Sequence, residues 1–338
     1  MQMAPPSFDQ NTARISAVHP DIIETHILTR LDGPTLASAS CVSSQLHSLA
    51  SDESLWTTIC HSTWPSTNTP RLRHVISSFP YGPRSFFSDS FTNPDQTPAS
   101  TPSSSPSLNR PSEIISAVDV YYKNKLIFSK VVETETASGW FNCSPFRVDL
   151  LDQKDSVPTR ISHPDNEDTC RELAEDLTLS WILIDPIGRR AMNLSSYKPV
   201  TVQRHWLSGE AHVRFSSVLS GGDRGSSSEF VQCGIVVTCG GSQGGEMHVR
   251  EVNLQVEDMD GTNLNGKESL VILQRGLEGK RRNVKGREDE GKRKYEDYVE
   301  KKRERKEKKL RTEGALDMLC VAFGVFTFFS SGLYLLWR

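Results

Sequence analysis

The chain has 338 residues, 36% of them hydrophobic and 24% charged. That length allows about two domains at roughly 100–200 residues each, and the apolar share lies below the ~45–50% (Gly included) of ordinary globular chains, which excludes a chain that is packed core throughout. The formal net charge of −3 hides an asymmetry: Lys280–Arg311 holds sixteen Lys and Arg against eight Asp and Glu, so an acidic body joins a basic segment.

The N-terminus, Met1-Gln2-Met3-Ala4-Pro5-Pro6, has neither a basic n-region nor an apolar h-region, which argues against a secretory signal. Gln2 cannot accept a myristoyl chain, and residues 1–14 are expected to be disordered. Helical patterning follows. Pro20-Asp21 opens a run with Ile22, Ile23, His26, Ile27 and Leu31, which Asp32-Gly33-Pro34 breaks. A second run carries Leu36, Ala39, Val42, Leu46 and Leu49 at helical spacing. Ser51-Asp52-Glu53-Ser54 starts a third, with Leu55, Trp56 and Ile59. Three short helices over 15–65 make a bundle near the lower size limit for an independent core. A connecting segment is expected over 66–91, and a Pro/Ser/Thr tract over 92–112 cannot bury enough apolar surface to fold.

From 113 to 275 the period changes to two. Val231, Cys233, Ile235, Val237 and Cys239 alternate with other residues, as do Val213 and Phe215, and Val252, Leu254 and Val256. Gly221-Gly222-Asp223, Gly240-Gly241-Ser242-Gln243-Gly244-Gly245 and Asp260-Gly261 punctuate the runs. Alternation with frequent turns predicts an antiparallel β-rich domain of sandwich type.

Nothing in these segments supports catalysis. Gly240-Gly241-Ser242-Gln243-Gly244 matches GxSxG, but that motif needs a strand-to-helix elbow, and Met247–Val256 reads as a strand. His205 and His248 lack ligand partners at metal spacing, and the seven cysteines form no CxxC pair, so no metal and no cofactor is expected. They read as reduced thiols of a cytosolic protein. The sequons at Asn142 and Asn193 are idle if the body faces the cytosol. No phosphate-cradling glycine loop occurs.

A basic helix is expected over 280–312. It carries only Tyr295 and Tyr298 as aromatics and no base-reading module, so no nucleic-acid partner is expected; a nuclear-localisation role, and with it a nuclear protein, is the alternative. Ala315–Trp337 follows. Its 23 residues span about 34 Å as a helix, enough for a hydrocarbon core of about 30 Å. Leu316, Leu319, Phe323, Phe326, Leu333 and Trp337 are its expected lipid-facing residues. The basic flank predicts a single-pass tail anchor with the body in the cytosol, since positive charge stays on that side. The span length favours the ER or nuclear envelope over a thicker plasma membrane.

Ile15–Trp64 resembles an F-box. The residues that carry this are Pro20 before Asp21-Ile22-Ile23, then Ile27-Leu28 and Leu31, then Leu36, Cys41-Val42-Ser43, Leu46 and Leu49, and a closing Asp52-Glu53-Ser54-Leu55-Trp56. Val18-His19 stands where the family has Leu before the proline, and Ser44-Gln45-Leu46 replaces its basic-aromatic step. The stretches SAVDVYYKNKLIFSK, SGWFNCSPFRVDLLD, LSWILIDP, VQRHWLSGE and GGEMHVREVNLQVEDMDG, with the apolar tail, are similar to the plant F-box subgroup of the cytokinin-induced F-box protein.

The resemblance implies an α+β chain: a three-helix F-box, a β-rich, sandwich-like middle domain, a basic juxtamembrane helix and one transmembrane helix. It implies a non-catalytic receptor of an SCF-type ubiquitin ligase, bound through a Skp-type adaptor to a cullin and a RING subunit, with an unknown protein substrate and a place in cytokinin response. The alternatives are a non-degradative membrane scaffold or binding module, and a hydrolase built on Ser242. Pro20, Ile22, Ile23, Ile27, Leu28 and Leu31, with Leu36 and Val42, are the expected adaptor contacts. Trp140, Trp181 and Trp206 are candidate exposed anchors for the substrate.

Overall fold

The computed structural model describes residues 18–94, 110–152, 154–162, 167–221, 229–241, 245–279, 281–282 and 287–337. The N-terminal 1–14, most of the Pro/Ser/Thr tract and Ser242 lie outside the described residues. The chain divides into two compact units that meet at Ser88 and Asp89.

The first unit is helical. Helix α1 (Pro20–Ile22) runs into a π-helical turn (Ile23–Ile27) and a 3₁₀ turn (Leu28–Arg30). Helices α2 (Gly33–Ala39), α3 (Ser44–Leu49) and α4 (Glu53–Thr63) follow. Each starts on a side-chain cap that accepts from an otherwise unpaired backbone N–H: Asp32 from Thr35, Ser43 from Leu46 and Asp52 from Ser54, at 3.0, 3.2 and 2.9 Å. The apolar run expected as one helix over Leu36–Leu49 is therefore two, because Ser43 caps a new start. A 3₁₀ turn (Pro65–Asn68) leads to α5 (Pro70–Ser77) and α6 (Gly82–Phe91).

Residues 66–91, read in the sequence as connecting chain, thus supply core. Leu72, Val75, Ile76, Phe79, Phe86 and Phe87 are buried. Phe87 stacks at 5.5 Å from Trp56 and 5.2 Å from Trp64, and Phe79 meets Phe86 edge-on at 5.6 Å. Gly33 lies against the Phe87 ring, where a Cβ would collide. This aromatic layer enlarges a core that three short helices alone would leave marginal.

The second unit opens with β1 (Asn93–Pro94) and the hairpin β2 (Glu113–Tyr122) and β3 (Lys125–Glu135). Lys123 and Asn124 both take positive φ, 49° and 60°, as a two-residue turn matched to strand twist requires. Then come α7 (Gly139–Cys143), β4 (Arg147–Asp149), β5 (Val157–Ser162), α8 (Glu167–Asp176), β6 (Leu177–Asp185), β7 (Arg190–Asn193), β8 (Thr201–Arg204), β9 (Ala211–Ser220), β10 (Phe230–Gly240) and β11 (Glu246–Asp258). Helix α9 (Gly266–Glu278), β12 (Arg281–Arg282) and the 51-residue α10 (Arg287–Trp337) end the chain.

All pairings are antiparallel, as the alternation predicts. One sheet has the order β3-β2-β6-β7; the other runs β4-β11-β10-β9-β8, with β5 also on β11; β1 pairs with β12. One cluster of buried side chains joins the two larger sheets: Val118, Trp181 and Leu183 from the first meet Phe215, Ile235 and Leu254 from the second. Helix α9 brings Leu270, Leu273 and Leu277 into the same core. The overall class is α+β, with a helical N-terminal unit, a sheet-rich middle and a long apolar C-terminal helix. Helices α8 and α9 were not foreseen within the β-rich stretch.

Candidate functional site

The first candidate surface is built on Pro20–Arg30. Pro20 sits at the first helical position, where its missing N–H costs nothing, and is exposed. The turn after it is wound wider than an α-helix: Leu28 N–H donates to Ile23 O, five residues back. Five-residue spacing aligns Leu28 with Ile23 and rolls Ile27 off that line. The consequence is sharp. Ile23 is 1% exposed and Leu28 equally buried, while Ile27 is 46% exposed. Ile22 and Val42 are also exposed, Leu31 is half-buried, and Leu36 is fully buried. The structure therefore divides the eight residues singled out above. Ile23, Leu28 and Leu36 are core packing of the bundle itself, whereas Pro20, Ile22, Ile27, Val42 and part of Leu31 face outward. Val18, also exposed, joins the outward set; sequence reasoning passed over it because it stands where the family pattern has another residue.

The second candidate surface is the tip between β8 and β9. Trp206 is 88% exposed and Leu207 nearly as much. The loop is braced: His205 Nδ1 accepts from Ser208 N at 3.1 Å, Gly209 N–H returns to His205 O at 2.9 Å, and Glu210 carries Arg250 at 2.7 Å. Arg204, His205 and Gly241 line a shallow cavity beside Trp206. Trp140 is a second exposed indole, on α7. Trp181 is not one. It is 0% exposed, with its Nε1 donating to Ser116 Oγ at 3.1 Å, because its strand is central and both faces of β6 are covered. It leaves the set of surface anchors. Leu207 was missed by sequence reasoning; its signal was a bulky pair, Trp206-Leu207, where alternation stops between two strands.

Burial pushes the Cys233 and Cys239 thiols up to about 12, so neither is a thiolate near neutral pH. Among the described residues no group of three or more His, Cys, Asp and Glu is placed to hold a metal ion.

Helix α10 has two halves. Its first part is docked: Tyr298 Oη donates to Asp258 O at 2.9 Å, Lys302 pairs with Glu257 at 2.9 Å and Arg305 with Asp260 at 3.0 Å. Tyr298 packs with Val218, Met259 and Phe230, and Lys301 lies 4.3 Å above the Phe230 ring. Gly291 meets Ser196 so closely that a Cβ would press on its backbone. From Lys306 to Trp337 every residue is exposed, including Leu316, Leu319, Phe323, Phe326, Leu333 and Trp337. Among the described residues this is the one helix long and apolar enough, by length and composition, to cross a membrane.

These features define a class: a capped helical module with outward aliphatics, followed by a two-sheet unit. The F-box-like family pattern matches residues 20–62, the stretch from α1 to the last turn of α4 in the helical unit. The chain belongs to the F-box protein family. It is 53% identical to the probable F-box protein At2g36090 of Arabidopsis thaliana, across 97% of this chain and 95% of that protein. F-box proteins At2g27310 and At3g44326 of the same plant are 46% and 48% identical, over 93% and 88% of this chain and 94% and 83% of their own lengths. No solved structure matches. F-box proteins are in general non-catalytic substrate adaptors of SCF-type ubiquitin ligases, joined to the ligase by a Skp-type adaptor.

Proposed function

We propose that this chain is the substrate receptor of an SCF-type ligase, held at a membrane by the apolar half of α10 with its body in the cytosol. The observation that carries the adaptor contact is the outward turn of Ile22 and Ile27 on an F-box-like module, beside buried Ile23 and Leu28. Aliphatic side chains exposed on a small, otherwise well-packed unit lose water only on a partner. Pro20, Ile22, Ile27, Leu31 and Val42 contact the Skp-type adaptor, and Ile23, Leu28 and Leu36 hold the backbone that presents them. The β-rich unit selects the target, with Trp206 and Trp140 as anchors. The resemblance to the cytokinin-induced subgroup supports a target in that hormone response, and the 23-residue span supports an ER or nuclear-envelope site.

The test is co-purification. The full chain brings down the Skp-type adaptor and a cullin. The double variant Ile22→Asp with Ile27→Asp loses both while its circular dichroism melt stays in place. Adaptor retention by the folded double variant overturns the contact assignment. Removal of 315–338 moves the protein from the membrane pellet to the soluble fraction; continued pelleting after carbonate extraction sinks the anchor.

A further inference from the structure

We propose that the Trp206-Leu207 tip docks a segment of a partner protein that carries a carboxylate beside an apolar side chain, on the side of the unit turned away from the bilayer. This rests on the receptor reading above and names the class of target the tip takes. The tip joins bare apolar surface to a spare cation. Trp206 and Leu207 are exposed. The cavity of about 510 Å³ beside them is lined by Arg204, His205, Ser208 and Gly241 and, among the described residues, by no carboxylate. Two arginines reach this end of the sheet, and their states differ. Arg250 is held by Glu210 at 2.7 Å, which balances both charges. The Arg204 side chain has no hydrogen-bond or ion-pair partner among the described residues. His205 Nδ1 accepts from Ser208 N–H, so the neutral ring carries its proton on Nε2 and offers a second donor. One guanidinium matches one carboxylate through two parallel hydrogen bonds, whereas phosphate recognition in general takes a cluster of arginines.

An exposed Trp-Leu pair beside an arginine also suits a lipid headgroup layer, and the path of α10 argues against that occupant. Gly291 touches Ser196, whose Oγ accepts from Ser216 N–H on β9. Two turns on, Tyr298 packs on Val218 near the end of β9. Lys302 and Arg305 then reach Glu257 and Asp260 at the end of β11. Helix α10 therefore crosses the sheet obliquely, from the β9 side to the β11 side. It leaves past the end where β9 and β11 both finish, since Ser220 faces Phe230 and Val231 faces Asp258. The tip is at the other end of β9 and at the other edge, on β8. It thus occupies the corner diagonally opposite the exit. Nine steps of β9, from Ala211 to Ser220, cover about 30 Å, and the three strand spacings from β11 to β8 about 14 Å. The apolar half of α10 runs on from the exit corner, so the bilayer it enters lies about 30 Å or more from Trp206.

Selection of displayed random peptides on the full chain in detergent micelles tests this, and it reads the tip whether or not the chain binds a Skp-type adaptor. The recovered peptides should share an Asp or Glu beside a large apolar residue. Trp206→Ala weakens such a peptide about tenfold or more, the loss of an interface anchor, while the circular dichroism melt stays in place. Arg204→Glu does the same, and selection on that variant turns the shared acid into Lys or Arg. Peptides without a shared acid overturn the proposal. So do acidic peptides that bind both variants as tightly as the wild type, and so does a selection that yields no binder. The lipid occupant is read with the full chain in vesicles of brominated phosphatidylcholine, which quenches tryptophans that enter the hydrocarbon. The quenched emission should survive Trp206→Phe and vanish with Trp337→Phe. A quenched share that Trp206→Phe removes assigns the tip to lipid and overturns the proposal. Absence of quenching in the wild type counts against the anchor and not the tip, which the peptides decide.

Discussion

The two units treat their aliphatic side chains differently. In the sheet-rich unit the inward alternation is absorbed almost completely: Val213, Phe215, Val231, Ile235, Val237 and Leu254 are all buried in one core with both sheets around it. In the helical unit, neighbours along the chain have opposite fates, with Ile23 inside and Ile22 and Ile27 outside. The apolar side chains the sheet-rich unit leaves most exposed ahead of α10 lie off its strands' inward faces, at Trp140 and at the Trp206-Leu207 tip. The helical unit is also well packed, around Trp56, Trp64 and three phenylalanines, yet keeps aliphatics in reserve. Exposure in a unit that already has a core does not mark a poor fold, since folded surfaces carry apolar side chains.

The widest contrast to test lies between two indoles of the sheet-rich unit. Trp181→Ala should cost about 3–5 kcal/mol, since it removes a large buried side chain and orphans its partner. Trp206→Ala should stay within about 0.5 kcal/mol, because that ring is almost wholly exposed and has only the His205 ring beside it. Thermal melts of the two variants measure this, and equal losses would erase the distinction between core and anchor. Next comes the pair that divides the F-box. Ile23→Ala should cost about 2–5 kcal/mol of stability. Ile27→Ala should leave the melt within about 0.5 kcal/mol while weakening Skp-type adaptor binding about tenfold, the loss of roughly 1.4 kcal/mol at an interface anchor. If Ile27→Ala melts like Ile23→Ala, the π turn is not what separates core from surface.

That turn also marks where sequence reasoning stops. Helical periodicity puts Ile23 and Ile27 on one face, as i and i+4, and the first run of the F-box was read that way. The i to i+5 bond from Leu28 to Ile23 breaks the rule, and no residue in Ile23–Ile27 announces it. The strands were legible because alternation holds over their regular stretches: the inward Val213 and Phe215 of β9, Val231, Cys233, Ile235, Val237 and Cys239 of β10 and Val252, Leu254 and Val256 of β11 are those the period of two selects, although a bulge in β11 puts Met247 and Val249 on the other parity. Helix α9 was not, since Leu270-Val271-Ile272-Leu273 is a short apolar run that fits a buried strand equally well; only Asn265, which accepts from Glu268 N at 2.9 Å, betrays the helix start. The three tryptophans had no pattern to sort them. Trp181 lies inside an unbroken apolar run of a central strand and Trp206 beyond the end of one, a difference that became readable only once the register was known.

The smallest expected effect concerns the seam between α10 and the sheet-rich unit. Tyr298 is buried there, and its hydroxyl donates to Asp258 O. Burial, reinforced by Glu257 and Asp258, raises its pKa above the usual phenol value of 10.0. A raised acid pKa means that the folded state holds the proton more tightly than the unfolded chain. The stability this contributes is fully present below pH ~10 and falls as pH climbs past that point, where the unfolded phenol ionises first. Tyr298→Phe should therefore cost about 1 kcal/mol at neutral pH, the usual worth of one hydrogen bond. It should also flatten the alkaline loss of protection in the first half of α10. Hydrogen exchange over 290–305 at neutral and alkaline pH reads both effects. An alkaline slope that survives in Tyr298→Phe would assign it to another group, and faster exchange in 306–337 alone would mean that Tyr298 does not hold the helix to the sheet.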